Sequence, residues 1–221
     1  YSDRFNKNDK DTRSHFFSDT NIDLDFENFI TSSLEIKYQK ISNDTYLKVF
    51  DFIQGSRFKK GPGSLTSKIE LDLEHEDYDF GSSVIMYESL GGLNSDRFTY
   101  VLPNYDFSSN FFLTNLDGSF NFSSSGNHTI NDTDVSSSSI GNSLGYSSLE
   151  YFTNSGIIAD YHFTFSNSNT MSDKSLKYKN TPQSELRSAY FFDASFPLQK
   201  KTKNRQNTLV PKLNFRFSPH D

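Results

Sequence analysis

The 221-residue chain contains no cysteine and no tryptophan, and only two methionines and six prolines. Without cysteine, neither a disulfide framework nor a thiolate metal centre can be built. No run of 18 apolar residues occurs, so the sequence encodes no transmembrane helix. No charged-then-apolar amino-terminal segment resembles a signal peptide, and residue 1 is Tyr, so the chain reads as cut from a longer precursor with any export signal upstream. Positive charge is not in excess: 22 Lys and Arg stand against 28 Asp and Glu, net -6. Nucleic-acid binding would need a basic stripe and finds no support. A G-x-S-x-G elbow and a phosphate-cradling glycine loop are missing, Gly61-Pro62-Gly63 being a turn. No sequence repeat recurs at a fixed period, which argues against a propeller or solenoid.

What is present is aromatic. Phe accounts for 23 residues and Tyr for 12, in a chain whose hydrophobic fraction is 33% and mean hydropathy -0.67. Disordered chains lack aromatics and periodicity, while a conventional core asks for more apolar residues than this. A transmembrane barrel reconciles the two, because only every second strand residue must be apolar when the other face looks into a wet lumen.

The alternation is clearest near the carboxy terminus. Across residues 184–198 the even positions carry Leu186, Tyr190, Phe192, Ala194, Phe196 and Leu198, with Glu185, Arg187, Asp193 and Gln199 at odd ones. After the charged connector KKTKNRQN, Leu209, Pro211, Leu213, Phe215 and Phe217 alternate with Lys212, Asn214 and Arg216. Period two puts the apolar set on one face, and two such runs predict an antiparallel hairpin. Each arm exceeds ten residues, where globular strands peak near five or six and a tilted membrane strand needs roughly 9 to 11.

The same reading extends upstream. The first twenty residues are a loop leading into a short strand; Ile22, Leu24 and Phe26, then Leu34, Ile36 and Tyr38, mark two strands with a turn near residues 31–33. Residues 45–53 form a strand and 54–64 a loop. Ile69, Leu71 and Leu73 lie on odd positions but Tyr78 and Phe80 on even ones, and this phase change predicts a turn or bulge at 75–77. A strand through 84–87 ends at Gly91 and Gly92, Phe98, Tyr100 and Leu102 open the next, and Asp117-Gly118 is a hairpin signal. Strands follow at 144–152 and 156–166. Residues 126–139 and 167–182, rich in Ser, Asn and Thr, read as polar loops with little to bury. Roughly a dozen strands and no helix result, with short turns and long polar loops alternating, as in barrels with unequal ends. The fold expected is all-β, part of one antiparallel transmembrane β-barrel, with 1–221 as a single unit.

No catalytic constellation is visible, so no enzyme is expected, and no cofactor is implied. The histidines, His15, His75, His128, His162 and His220, never fall in zinc-like spacing, and no metal site is expected. The acidic ladder Glu70, Asp72, Glu74, Glu76 reads as a solvated lumen face balanced by Lys and Arg on neighbouring strands. Tyr100, Tyr105 and Tyr190 are expected at strand ends, in an interfacial girdle.

Four segments carry more than a pattern: NDTYLKVFDF (43–52), LTSKIELDLEHEDYDF (65–80), SDRFTYVLPNYDFS (95–108) and TLVPKLNFRFSPHD (208–221). In that order they resemble blocks of the barrel domain of the LptD family, the outer-membrane lipopolysaccharide-assembly proteins also called organic solvent tolerance proteins, and alphaproteobacterial members above all. The SDR-aromatic-x-Y-x-LP and PKLNFRFSP blocks are the most specific. The resemblance runs from about Asn21 to Asp221 but covers only part of the family's length: the periplasmic jellyroll and the later barrel strands are not in this stretch. It implies a translocon in the Gram-negative outer membrane that receives lipopolysaccharide from a periplasmic bridge protein and, with an LptE-like lipoprotein in its lumen, releases it into the outer leaflet. No bond is made or broken. Two rivals stand beside it: an outer-membrane porin or channel, and a soluble β-rich surface or adhesin domain. The latter requires Phe192, Phe196, Phe215 and Phe217 to be buried against a second sheet.

Overall fold

The structure is a computed structural model, and it describes residues 14–43, 63–91, 97–113, 116–131, 134–175, 179–203 and 205–219. The expected strand at 45–53 and nearly all of the loop at 54–64 lie outside these. Thirteen strands are seen and no helix among the described residues: β1 (His15–Asp23), β2 (Thr31–Ile41), β3 (Ser64–Glu74), β4 (Tyr78–Ser89), β5 (Phe98–Phe112), β6 (Gly118–Asn131), β7 (Val135–Ser148), β8 (Tyr151–Phe152), β9 (Ile158–Asp173), β10 (Gln183–Ser195), β11 (Leu198–Thr202), β12 (Arg205–Leu209) and β13 (Lys212–Phe217). The main sheet runs β1-β2-β3-β4-β5-β6-β7-β9-β10-β13, every pair antiparallel, with β8 as a short annex on β9. It is an up-and-down meander whose edges are β1 and β13, and it is not closed into a barrel. From β1 to β10 the path strands are 9 to 16 residues long.

The phase change at 75–77 is the β3–β4 turn, closed by the His75 amide on the Tyr78 carbonyl at 2.8 Å and the Asp77 amide on His75 Nδ1 at 3.1 Å. The 184–217 hairpin forms as β10 and β13, Phe192 opposite Phe215. Its connector KKTKNRQN is not a loop, however. It continues the same hairpin as β11 and β12 after a break at residues 196–197 and 210–211. Pro197 and Pro211 have no N–H for the ladder, and both arms pause where they sit.

Other expectations are corrected. β1 already begins at His15, and the first turn is 24–30 rather than 31–33, with Leu24 N bonded to Ser32 O at 2.8 Å. The stretch 126–139 is not simply a loop: residues 126–131 complete β6, residues 135–139 begin β7, and β9 runs through 167–173. The ladder supplies the backbone bonds of such segments without any apolar alternation, and their side chains add cross-strand bonds, His128 Nδ1 with Ser138 Oγ at 2.7 Å and Ser124 Oγ to Asn142 Oδ1 at 2.9 Å.

Among the described residues the only apolar cluster of buried side chains is Ile41, Leu65 and Leu90, with Phe17 packed on it. Phe192, Phe196, Phe215 and Phe217 are 40%, 36%, 59% and 52% exposed, contrary to what a sandwich requires.

Candidate functional site

The registers sort every path strand onto two faces. One carries an aromatic row that crosses six strands in direct opposition: Phe111, Phe120, Tyr146, Phe163, Tyr190 and Phe217. Phe111 and Phe120 stack at 5.3 Å between centroids, and Phe120–Tyr146 and Phe163–Tyr190 meet at 4.8 Å. Flanking rows add Phe122, Leu144 and Phe165, and Tyr161, Phe192 and Phe215. Several of these rings stay substantially exposed, Tyr161 and Tyr190 at 50% each.

The apolar band is oblique to the strands. The row that reads Leu34 and Leu71 on β2 and β3 passes through Ser82, Tyr105, Gly126 and Ile140 to reach Asn169 and Ser184 on β9 and β10. Towards β13 the apolar positions have stepped several residues along, to Tyr161, Phe163, Tyr190, Phe192, Leu213 and Phe215. An apolar slab of fixed height met by tilted strands gives this stepping, since rows of opposed residues run perpendicular to the strands and not along the slab. Beyond the band this face carries Ser136, Ser138, Asn167 and Asn169 on β7 and β9, with Ile130, Ile140 and Met171 the apolar residues left among them.

The opposite face is mainly polar, with Ile85, Val101, Phe112 and Phe191 among its apolar exceptions. One row reads Ser33, Asp72, Gly81, Asp106, Ser125, Gly141, Ser168 and Glu185 across eight strands. Gly81 opens room in it: a Cβ there would lie 2.7 Å from Asp106 Oδ1. The acidic ladder faces this side with Glu70, Asp72 and Glu74, while Glu76 lies in the β3–β4 turn. Lys68 holds Glu35 at 2.8 Å and also Glu70, which stand directly opposite one another, and Thr31 Oγ1 donates to Glu74 Oε2 at 3.0 Å. Arg187 donates to Glu185 Oε1 from Nε at 2.9 Å and Nη2 at 2.6 Å.

The girdle expectation needs correction. Tyr100 lies near the start of β5, but Tyr105 is mid-strand over Gly126, with its hydroxyl 3.3 Å from Ser124 Oγ, and Tyr190 is inside β10. The ring fills the space that glycine leaves, since a Cβ at Gly126 would lie 2.5 Å from it.

A grouping that sequence spacing passed over is Asp160, His162 and Asp193, whose ligand atoms lie within 4.8 Å of one another on the polar face. Asp-x-His along one strand puts two donors on one face, a signal that zinc-type spacings do not include. No family model matches the sequence, and no curated protein matches it.

Proposed function

We propose that this chain is part of the wall of an outer-membrane β-barrel of the LptD type, which passes lipopolysaccharide to the outer leaflet of a Gram-negative outer membrane. The observation that carries the membrane reading is the oblique band of exposed aromatic and aliphatic side chains, backed across the same strands by a face of carboxylates, amides and hydroxyls. Lipid asks for apolar side chains on one side only, while a wet lumen tolerates Lys68, Asp106 and Arg187 on the other. From β1 to β10 the path strands, 9 to 16 residues long, suit a tilted crossing, whereas β13, expected to exceed ten residues, has six because the arm breaks at Pro211.

The translocon itself rests on the four sequence blocks. A polar inner wall suits a sugar and phosphate head group, and an apolar outer wall suits acyl chains. An LptE-like lipoprotein in the lumen and a periplasmic bridge protein are the partners this reading carries, and no bond chemistry is involved. Depleting the full-length protein tests it. Newly made lipopolysaccharide should accumulate in the inner membrane; unchanged surface lipopolysaccharide overturns the assignment, and pore conductance without any lipoprotein partner favours a porin.

A further inference from the structure

Asp160 on β9 and Asp193 on β10 are directly opposed in register on the polar face, and Asn214 on β13 is opposed to Asp193 in the same row. Like charges in direct opposition destabilise a strand pair. His162, two residues along β9 and on the same face, places Nε2 2.9 Å from Asp160 Oδ1, while its Nδ1 is 3.0 Å from Ser147 Oγ on β7. The Ser147 hydroxyl serves either tautomer: with Nε2–H the ring donates to Asp160, and with Nδ1–H donated to Ser147 the Nε2 lone pair is left for a ligand. An imidazole nitrogen and two carboxylates from two strands thus converge. The neighbouring Arg216 is placed over the Phe191 ring at 5.2 Å.

We infer that Asp160, His162 and Asp193 form a binding site for a first-row divalent cation such as Zn²⁺, with one imidazole nitrogen and two carboxylate oxygens. Mixed nitrogen and oxygen donors suit such ions better than Mg²⁺ or Ca²⁺, which prefer all-oxygen shells. Ligands at about 2.0–2.2 Å from Zn²⁺ lie closer together than the present spread, and a side-chain rotation of Asp193 closes it. Ser147 fixes the imidazole from behind, the orienting contact that metal-binding histidines usually have. Asn214 Nδ2 donates to Asp193 Oδ1 and holds that carboxylate while leaving its second oxygen to the ion. A groove of about 330 Å³, lined by Ser119, Ser147 and Thr164 and by the rings of Tyr146 and Phe191, reaches His162 and Asp193. The site uses only the polar face and does not depend on what crosses the membrane or whether anything does.

The test is Zn²⁺ titration of the folded chain at neutral pH in competition with a chromophoric chelator. One equivalent should bind, and His162→Ala and Asp193→Asn should each weaken it at least tenfold, while His128→Ala leaves it unchanged. Equal binding by His162→Ala and the unaltered protein, or no stoichiometric binding, overturns the site. Electron paramagnetic resonance of Cu²⁺ on the unaltered chain covers variants that fail to fold. A single coupled nitrogen supports the site, and two or more, or an aquo spectrum, refute it.

Discussion

Arg97 donates from both Nε and Nη2 to one oxygen of Glu88, at 2.7 and 2.6 Å, just before β5 begins. The Glu88 side chain is only 2% exposed, and its other oxygen is 3.6 Å from Lys40 Nζ, beyond hydrogen-bond reach. Arg97 belongs to the SDRF block, and its work here is to neutralise a carboxylate that is hidden from water beside the Ile41, Leu65 and Leu90 cluster. Breaking a buried pair by removing one partner costs about 3–5 kcal/mol. Arg97→Ala should therefore lower unfolding free energy by roughly that much, whereas Lys40→Ala, removing a half-exposed lysine, should cost less than about 1 kcal/mol. Denaturant titration of both variants checks the ranking; equal effects would mean that Arg97 is not the partner Glu88 depends on.

Lys68 predicts a different kind of loss. It spans Glu35 and Glu70, which face each other across β2 and β3, so Lys68→Met leaves two carboxylates in direct opposition. The cost should be about 1 kcal/mol, should shrink as salt rises through screening, and should be recovered by adding Glu35→Gln. Unfolding midpoints at low and high ionic strength measure all three.

At Gly126 the expected result comes from shape. A methyl group there would lie 2.5 Å from the Tyr105 ring and 3.1 Å from the Ser139 carbonyl oxygen. Gly126→Ala should destabilise by about 1–3 kcal/mol through overpacking, and Tyr105→Ala in the same chain should recover part of that, since the ring is the nearer obstacle and the backbone oxygen stays. A double-mutant cycle in denaturant gives the coupling; strict additivity would show that ring and glycine do not share the space.

Where the sequence was legible and where it was not follows from the oblique band. Leu186 through Phe192, Leu213 through Phe217 and Ile69 through Leu73 cross it, so their outward residues are apolar, their inward ones polar, and period two appears. Gly126 to Asn131, Ser136 to Ser139 and Asn167 to Asp173 lie past the band, where only Ile130 and Met171 are apolar and nothing alternates. They are strands because neighbouring ladders extend them, and a ladder leaves little trace in side-chain type. The connector 200–207 was missed for the same reason. Of the charged face, the acidic ladder was visible along one strand, but the meeting of Asp160 and His162 with Asp193 depends on the register between β9 and β10, which no single strand records.

The oblique band sets up a sharp contrast between positions on one face. Phe163 and Tyr190 sit at the centre of the band, whereas Ser138 and Asn169 lie on the same face of the same sheet but beyond it. If lipid covers the band, Phe163→Arg and Tyr190→Arg should each reduce the folding free energy in phospholipid vesicles by about 2–4 kcal/mol, and Ser138→Arg and Asn169→Arg by no more than about 1 kcal/mol. In a sheet whose aromatic face meets water, an added arginine would keep its hydration at all four positions and the costs would be alike. Reversible folding into vesicles, followed by tyrosine fluorescence and strand circular dichroism, measures the four values. A uniform small effect would remove the membrane from the interpretation, and a large effect at Asn169 would mean the band has been placed at the wrong height.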